Sequence, residues 1–448
     1  MRKMKKPSEL KNRDVYLNKL IAFQDTEPVK VVTGIRRCGK SSLLRLMAAH
    51  LRASGIENEQ IIEMNFESFE FAKLTAEKLY AYVRERVLPG KRMYLFFDEL
   101  QRIGDWETAV NSFRVDFDCD IYITGSNAYL LSSEYATYLS GRCVEIRMLP
   151  LSFVEFLQFH GFSIKESKSA LGGTRKVAVD ERGEHYELRE VFDAYMRYGG
   201  MPGLADVGLE QDKALTLLDG IYSTVVVRDI LEREKRRGQR QITDPVLLKK
   251  IILFLADNIG SPVSVSSIGH TLVNEGLLEQ EHRQGKPSAH TVQAYVDALL
   301  ESYFFYDIKR FDIKGREFLR TLGKYYIVDI GLRNYLLGFR DRDPGHAIEN
   351  VVYFELLYRG YDVAVGKMDN AEIDFIATKA GEKIYIQVTE SMMSEDVRTR
   401  ELAPLMKIRD HYAKLVLSLE PGIITTYEGI RSQSLIEWML GQEHPAQT

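Results

Sequence analysis

Long apolar runs are missing from this 448-residue sequence, and none reaches the length needed to cross a bilayer. Cysteine is scarce. Cys38, Cys119 and Cys143 follow no ligand or disulfide spacing, which argues against structural zinc and for a reducing, cytoplasmic setting. Positive charge is not in excess either. Sixty Lys and Arg stand against 64 Asp and Glu, a net charge of −4, so no global basic field announces a nucleic acid and any basic surface must be local. The basic start, Met1 to Pro7, lacks the apolar core of a signal peptide behind it and reads as a lead-in to a helix around residues 13–24. What remains, 45% hydrophobic and 28% charged residues, is ordinary for a soluble globular chain, and the length suggests about three domains.

The sharpest feature is the stretch from Val29 to Leu44. A β-branched run leads into Gly34-Ile35-Arg36-Arg37-Cys38-Gly39-Lys40-Ser41-Ser42, and an apolar helical face follows. This is G-x-x-x-x-G-K-S in strand–loop–helix context, the phosphate-binding P-loop pattern. Gly34 and Gly39 let the backbone curl so that its N–H groups turn inward. The helix N-terminus adds its positive dipole end. Lys40 is expected on the β- and γ-phosphates of ATP and Ser41 on Mg2+. Against this stands only a glycine loop with a chance lysine.

A P-loop needs a second apolar strand ending in acid, and residues 93–99 supply it. The run reads as a strand buried on both faces of a parallel sheet. It delivers Asp98 to the carboxyl edge as a magnesium ligand and Glu99 as the group that polarises water. A further strand, residues 120–125, ends in Ser126 and Asn127. Their polar groups fit either a place beside the γ-phosphate or a plain loop cap. With a strand at residues 60–66 and helices near 75–88 and 106–116, the alternation predicts a doubly wound α/β sheet.

These segments, with Trp106 and residues 139–142 and 150–156, resemble the prokaryotic AAA-superfamily ATPases that carry a C-terminal domain of unknown function, over nearly the whole chain. The resemblance implies an ATPase core with Lys40 and Ser41 as Walker A residues, Asp98 and Glu99 as Walker B, and Ser126/Asn127 as first sensor. It places Arg142 where such proteins often carry an arginine near the nucleotide, their own or a neighbouring subunit's; a surface ion pair is the alternative. A homo-oligomer is therefore among the expectations. The stretch after residue 151 resembles a helical lid. Within it residues 198–203 form a tight turn that resembles the glycine–x–proline lid motif of related switch ATPases, a resemblance that implies Pro202 packed on adenine.

A charge run, residues 228–240, precedes a boundary at 243–245. Three short helical patterns and two flanking strands then read as a winged helix, with Lys309, Arg310, Lys314 and Arg316 as DNA-phosphate contacts. Protein packing is the rival use of such a module. The last region looks like a restriction-endonuclease core in which Glu349 and Asp374 match the acidic pair and Gln387 stands at the next acidic position. Thr389 replaces the lysine that such a site needs, so cleavage is not expected. The predicted fold is α/β: an AAA-type doubly wound P-loop ATPase core (residues 1–165), helical lid (166–242), winged-helix domain (243–335) and α/β restriction-endonuclease-like domain (336–448). The function read from these parts is a cytoplasmic, non-membrane ATPase using ATP and Mg2+ that binds or remodels DNA. A regulatory ATPase acting on protein partners and an ATP-dependent nuclease are the alternatives.

Overall fold

The structure, a computed structural model, describes residues 10–71, 73–126, 128, 141–168, 174–231, 242–274, 287–340, 344–420 and 425–441. The chain divides into two compact units, Met1–Leu149 with Glu301–Tyr303, and Pro150–Leu300 with Phe304–Thr448.

The first unit is built on a five-stranded parallel sheet. Its strands are β1 (Val29–Thr33), β2 (Ile61–Asn65), β3 (Met93–Asp98), β4 (Cys119–Gly125) and β5 (Cys143–Arg147), in the order β2-β3-β4-β1-β5. β1 and β3 are buried along their whole length, as their apolar runs require when helices cover both faces. Helices α3 (Ala76–Arg84) and α4 (Trp106–Asp116) pack Leu79, Val83, Val110 and Phe113 onto the face carrying Val29, Val31, Leu95 and Phe97. Each such large side chain contributes about 1.5–3 kcal/mol by leaving water. Helices α1 (Asp14–Ala22) and α2 (Lys40–Ala53) pack together; α2 also meets β3 and β4, and α1 meets β5. The expected α/β core with a parallel sheet is therefore present.

The second unit departs from the expectation of a purely helical lid. Helix Phe153–Phe159 starts at a capping box in which Ser152 and Glu155 satisfy each other's backbone N–H. It is followed by a three-stranded antiparallel sheet, Ser163–Lys168, Thr174–Val179 and His185–Glu187, before helix Leu188–Tyr198 resumes. The first of these strands is almost wholly exposed, so it has no apolar alternation by which sequence could mark it. The three short helical patterns after the boundary are present as helices Pro245–Asp257, Val265–Asn274 and Ala289–Glu301. The hairpin after them, Phe305–Asp312 with Glu317–Ile327, is not a free wing. Its first strand pairs in parallel with Asp362–Met368 and so joins a nine-stranded mixed sheet that runs through the C-terminal region.

The turn at residues 198–203 is tied down within this unit. The N–H of Gly200 donates to Asp329 Oδ2 at 2.6 Å, and Asp329 Oδ1 caps helix Ile330–Leu337 through Leu332 N–H at 3.1 Å. A Cβ on Gly200 would sit 2.4 Å from the Leu151 carbonyl oxygen. The glycine pair is thus demanded by close backbone approach.

Candidate nucleotide site

The loop between β1 and α2 curls as the glycines allow. Gly34 has φ +137° and Gly39 φ +106°, both outside the range that side-chain-bearing residues favour, and a Cβ on Gly34 would lie 2.1 Å from the Met148 carbonyl oxygen. Ile35 and Cys38 bury their side chains, so only their backbone is available to a ligand. Arg36 reaches away to pair with Glu67, Arg37 is exposed, and Ser42 is half-buried. Lys40, the first residue of α2 and almost fully buried, donates Nζ to the carbonyls of Gly34 (2.9 Å) and Ile35 (3.0 Å). Its ammonium therefore sits inside the curl. Arg13 braces the loop from outside: its guanidinium donates to the carbonyls of Cys38 (3.1 Å) and Leu149 (2.8 Å).

A chain of hydrogen bonds crosses the carboxyl edge of the sheet. Ser41 Oγ donates to Asp98 Oδ1 at 3.0 Å, Thr124 Oγ1 donates to the same oxygen at 2.6 Å, and Asn65 Nδ2 donates to Asp98 Oδ2 at 2.8 Å. Thr124 also accepts the N–H of Glu99 at 2.9 Å. Glu99 stands in the left-handed region, φ +58°, which swings its side chain off the strand. Its Oε1 accepts from Ser126 Oγ at 2.6 Å and its Oε2 from Gln101 Nε2 at 2.7 Å. Burial pushes the Asp98 carboxyl above its ordinary range, and the Thr124 and Ser41 hydroxyls pull it back. A serine hydroxyl and a carboxylate 3.0 Å apart, with three neutral donors fixing the carboxylate, suit a hard, oxygen-preferring cation. Ser41 and Asp98 would hold Mg2+, which supplies charge neutralisation to bound phosphates.

The predicted residues Gly34, Gly39, Lys40, Ser41, Asp98, Glu99 and Ser126 thus meet at one sheet edge. Thr124, Asn65, Gln101 and Arg13 join them without having been marked by sequence. Asn127 lies outside the described residues, as do Arg233, Lys235, Arg236, Arg237 and Arg240 of the charge run. Arg142 is elsewhere. Its carbonyl accepts the N–H of Val29, at the start of β1, and its side chain is exposed beside Asn111 at 3.5 Å. The P-loop leaves the other end of β1, about 16 Å along the strand. Arg142 therefore does not serve the site of its own chain. Pro202 belongs to the second unit.

The basic hairpin is partly neutralised. Arg310 lies 3.8 Å from Glu372, and Lys314 pairs with Asp369 at 2.6 Å, while Lys309 and Arg316 are exposed. The acidic site of the C-terminal sheet also differs from expectation. Glu349 and Asp374 do come together: burial pushes both carboxyls up, for Asp374 the charge of Glu349 adds to it, and for Glu349 the Lys324 ammonium works against it. But Lys324, on the hairpin, puts its buried ammonium 2.7 Å from Glu372 and 3.7 Å from Glu349. Gln387 turns its amide oxygen to the N–H of Asp374 (2.9 Å) and its nitrogen to Glu401 (3.1 Å). Its oxygen is thus already engaged rather than offered to a cation. Among the described residues no group of three or more His, Cys, Asp or Glu is placed to hold a metal. Lys324 thus sets a positive charge from another strand against the carboxylates of Glu349 and Glu372.

Comparison with known proteins agrees with the first site. Residues 26–157 match a family profile described as an AAA domain, and residues 189–343 match one described only as a domain of unknown function. The parallel-sheet core with its P-loop is thus that of an AAA-type nucleotide-binding domain. An uncharacterised protein of Haemophilus influenzae is 39% identical over 433 residues, 96% of this chain and 98% of that protein, and the chain belongs to one family with it. An uncharacterised protein of Methanocaldococcus jannaschii is 27% identical over 409 residues, 89% of this chain and 82% of that one. Among solved structures, the Thermotoga maritima RuvB Holliday junction branch migration motor aligns at 14% identity and TM-score 0.31, over 66% of this chain and 89% of its own. The Aeropyrum pernix ORC1 protein, in complex with DNA, aligns at 14% and 0.29, over 75% and 94%. Likenesses this loose carry nothing beyond themselves. Among the described residues no helix is long and apolar enough to cross a membrane.

Proposed function

We propose that the protein is an ATP-hydrolysing switch. The observation that carries this reading is the continuous hydrogen-bond chain Ser41–Asp98–Thr124–Glu99–Ser126 beside a lysine-bearing P-loop. The N–H groups at the start of α2 and the Lys40 ammonium bind the β- and γ-phosphates. Glu99, held by Ser126 and Gln101, orients the attacking water and takes its proton. Ser126 fixes the rotamer of that base and, through it, would respond to whether the γ-phosphate is still attached.

The test separates binding from turnover. Lys40→Ala is expected to lose ATP binding. Glu99→Gln keeps a polar side chain of the same size, so it should bind ATP normally and hydrolyse it at least about 100-fold more slowly, the lower end of what a positioned general base contributes. Normal turnover in Glu99→Gln would overturn the assignment.

The partner driven by this cycle is, in our reading, DNA. The observation favouring it is local: exposed Lys309 and Arg316 and the cations near them stand out in a chain of net charge −4. A protein partner remains the competing outcome, and a salt titration separates the two, since phosphate contacts give a steep dependence. The nuclease reading loses support because Lys324 pairs with Glu349 and Glu372, Gln387 is engaged, and among the described residues no cluster of carboxylates is placed to hold a metal.

A further inference from the structure

The second unit contains an open cleft of about 1290 Å³ between the hairpin turn, the strand Glu382–Thr389 and the segment after helix Glu395–Met406. Five lysines and arginines line it against two aspartates. Both aspartates are occupied. Asp369 pairs with Lys314 at 2.6 Å. Asp410 accepts the Tyr385 hydroxyl at 2.6 Å and the N–H of Tyr412 at 3.2 Å. Arg316, Lys407 and Arg409 are exposed on the rim and have no carboxylate partner among the described residues. The excess positive charge of the cleft is therefore uncompensated within this unit.

Aromatic rings share the lining with these cations. Tyr412 and Phe311 are half-buried in the lining, each with one side packed on the core of the sheet, and His411 lies beside Tyr412 with ring centroids 4.5 Å apart. Lys383 Nζ lies 4.9 Å from the Tyr412 centroid and 5.9 Å from that of Phe311. Phe318, 59% exposed, packs edge-on against Phe311 at 5.2 Å. The volume exceeds the roughly 300–1,000 Å³ of small-ligand pockets, so an extended ligand suits it better than one nucleotide. Unpaired bases stack on an aromatic face while their phosphates follow a cationic groove, and a duplex, whose bases are already stacked and paired, offers only the phosphates.

We infer that this cleft binds single-stranded nucleic acid, with phosphates held by Arg316, Lys407 and Arg409 and a base stacked on Tyr412. The inference rests on the DNA reading above and narrows it to one strand state and one surface. Only Arg316 belongs to it among the residues that sequence alone would count as free DNA contacts.

The test is fluorescence anisotropy with the full chain, a labelled 12-nucleotide oligo-dT, an oligo-U of equal length, a blunt duplex and polyglutamate as competitor. The wild type should bind a single strand more tightly than the duplex, with log affinity falling by about 0.7 per phosphate contact for each decade of salt, a slope near −2 for three contacts. The oligo-U arm identifies the favoured sugar, and tight binding of either strand supports the site. The triple reversal Arg316→Glu, Lys407→Glu and Arg409→Glu, all on exposed side chains, should weaken binding at least tenfold and flatten the slope. Tyr412→Leu, which keeps apolar bulk and removes the ring, should weaken it about tenfold with the slope unchanged. Wild-type affinity in both variants would overturn the cleft and leave the DNA reading standing, as would duplex binding without single-strand binding. No binding to either form defeats both. Displacement by polyglutamate at equal charge concentration would reduce the cleft to an unspecific cationic surface and overturn the inference.

Discussion

Thr124 is the residue through which the candidate site is most open to refutation. Its hydroxyl donates to Asp98 at 2.6 Å and accepts the Glu99 N–H at 2.9 Å, in a strand that is fully buried at this position. Thr124→Val keeps the shape and removes both bonds. The lost bond to a carboxylate is worth about 1.5–3 kcal/mol, and the stranded Glu99 N–H costs about 1–3 kcal/mol more. We therefore expect roughly 3 kcal/mol of lost stability. At about 2–4 °C per kcal/mol for a unit of this size, the unfolding midpoint should fall by roughly 6–12 °C. A functional signature accompanies it. Without the Thr124 hydroxyl, burial raises the Asp98 carboxyl further, so Asp98 should hold Mg2+ less well and the acid limb of the ATPase pH profile should move to higher pH. The assay is ATPase rate against Mg2+ concentration at several pH values, with thermal unfolding in parallel. Thr124→Ser retains the hydroxyl and should behave nearly as wild type. If Thr124→Val turns over ATP with an unaltered Mg2+ requirement and pH profile, Asp98 is not the cation ligand and the chain of bonds is scaffolding.

Three further outcomes are expected. Gly34→Ala would press a Cβ to 2.1 Å from the Met148 carbonyl at φ +137°, so it should abolish ATP binding even where the rest of the chain stays folded by circular dichroism. Asp329, pushed up to about 6 by burial, keeps its proton in the folded state to higher pH than in the unfolded chain. It therefore adds stability below about pH 4 that is lost as pH rises toward 6, about 3 kcal/mol in all. The stability difference between wild type and Asp329→Asn, measured by denaturant titration, should show that slope, and a constant difference from pH 4 to 7 refutes it. Lys324→Met removes the buried partner of Glu349 and Glu372 and should cost about 3–5 kcal/mol in denaturant titration, part of it recovered by millimolar Mg2+ or Mn2+ in the variant only.

Sequence made the nucleotide site legible because its chemistry is local. The P-loop lies within nine consecutive residues, and Asp98 and Glu99 follow an apolar run that can only be a buried strand. What it could not mark depends on strand order. Asn65 reaches Asp98 because the two are register partners on β2 and β3, and Thr124 does so because β4 lies between β3 and β1. Arg142 illustrates the converse. It stands near the first-sensor strand in sequence, yet pairing at Val29 puts it at the far end of β1. The three-stranded sheet after residue 162 escaped because its strands are mostly polar and exposed, and the hairpin looked like a free wing because nothing local announces its pairing with residues 362–368.

The two acidic sites of the chain differ in a way that bears on what drives them. Asp98 and Glu349 are equally buried, at 8% exposure, and burial raises both carboxyls. Their partners differ. Among the described residues the Asp98 carboxylate is hydrogen-bonded only by Ser41, Thr124 and Asn65, neutral donors that orient it without cancelling its charge, while the Lys40 ammonium donates to the loop carbonyls and acts on Asp98 only through its charge. A carboxylate held this way keeps its charge for an incoming cation. Glu349 has the Lys324 ammonium at 3.7 Å and the Tyr326 hydroxyl at 3.2 Å, and Glu372 shares the same ammonium. There the counter-charge is built into the chain, and a divalent ion must displace a buried lysine to enter. On the proposed reading, the first site would admit a diffusible cation, while the second already has a cation belonging to the chain itself. The magnesium dependence of this protein should therefore be a single transition that follows Asp98 and Ser41 and is indifferent to substitution of Asp374. A second magnesium transition lost in Asp374→Asn would show that Lys324 yields its place.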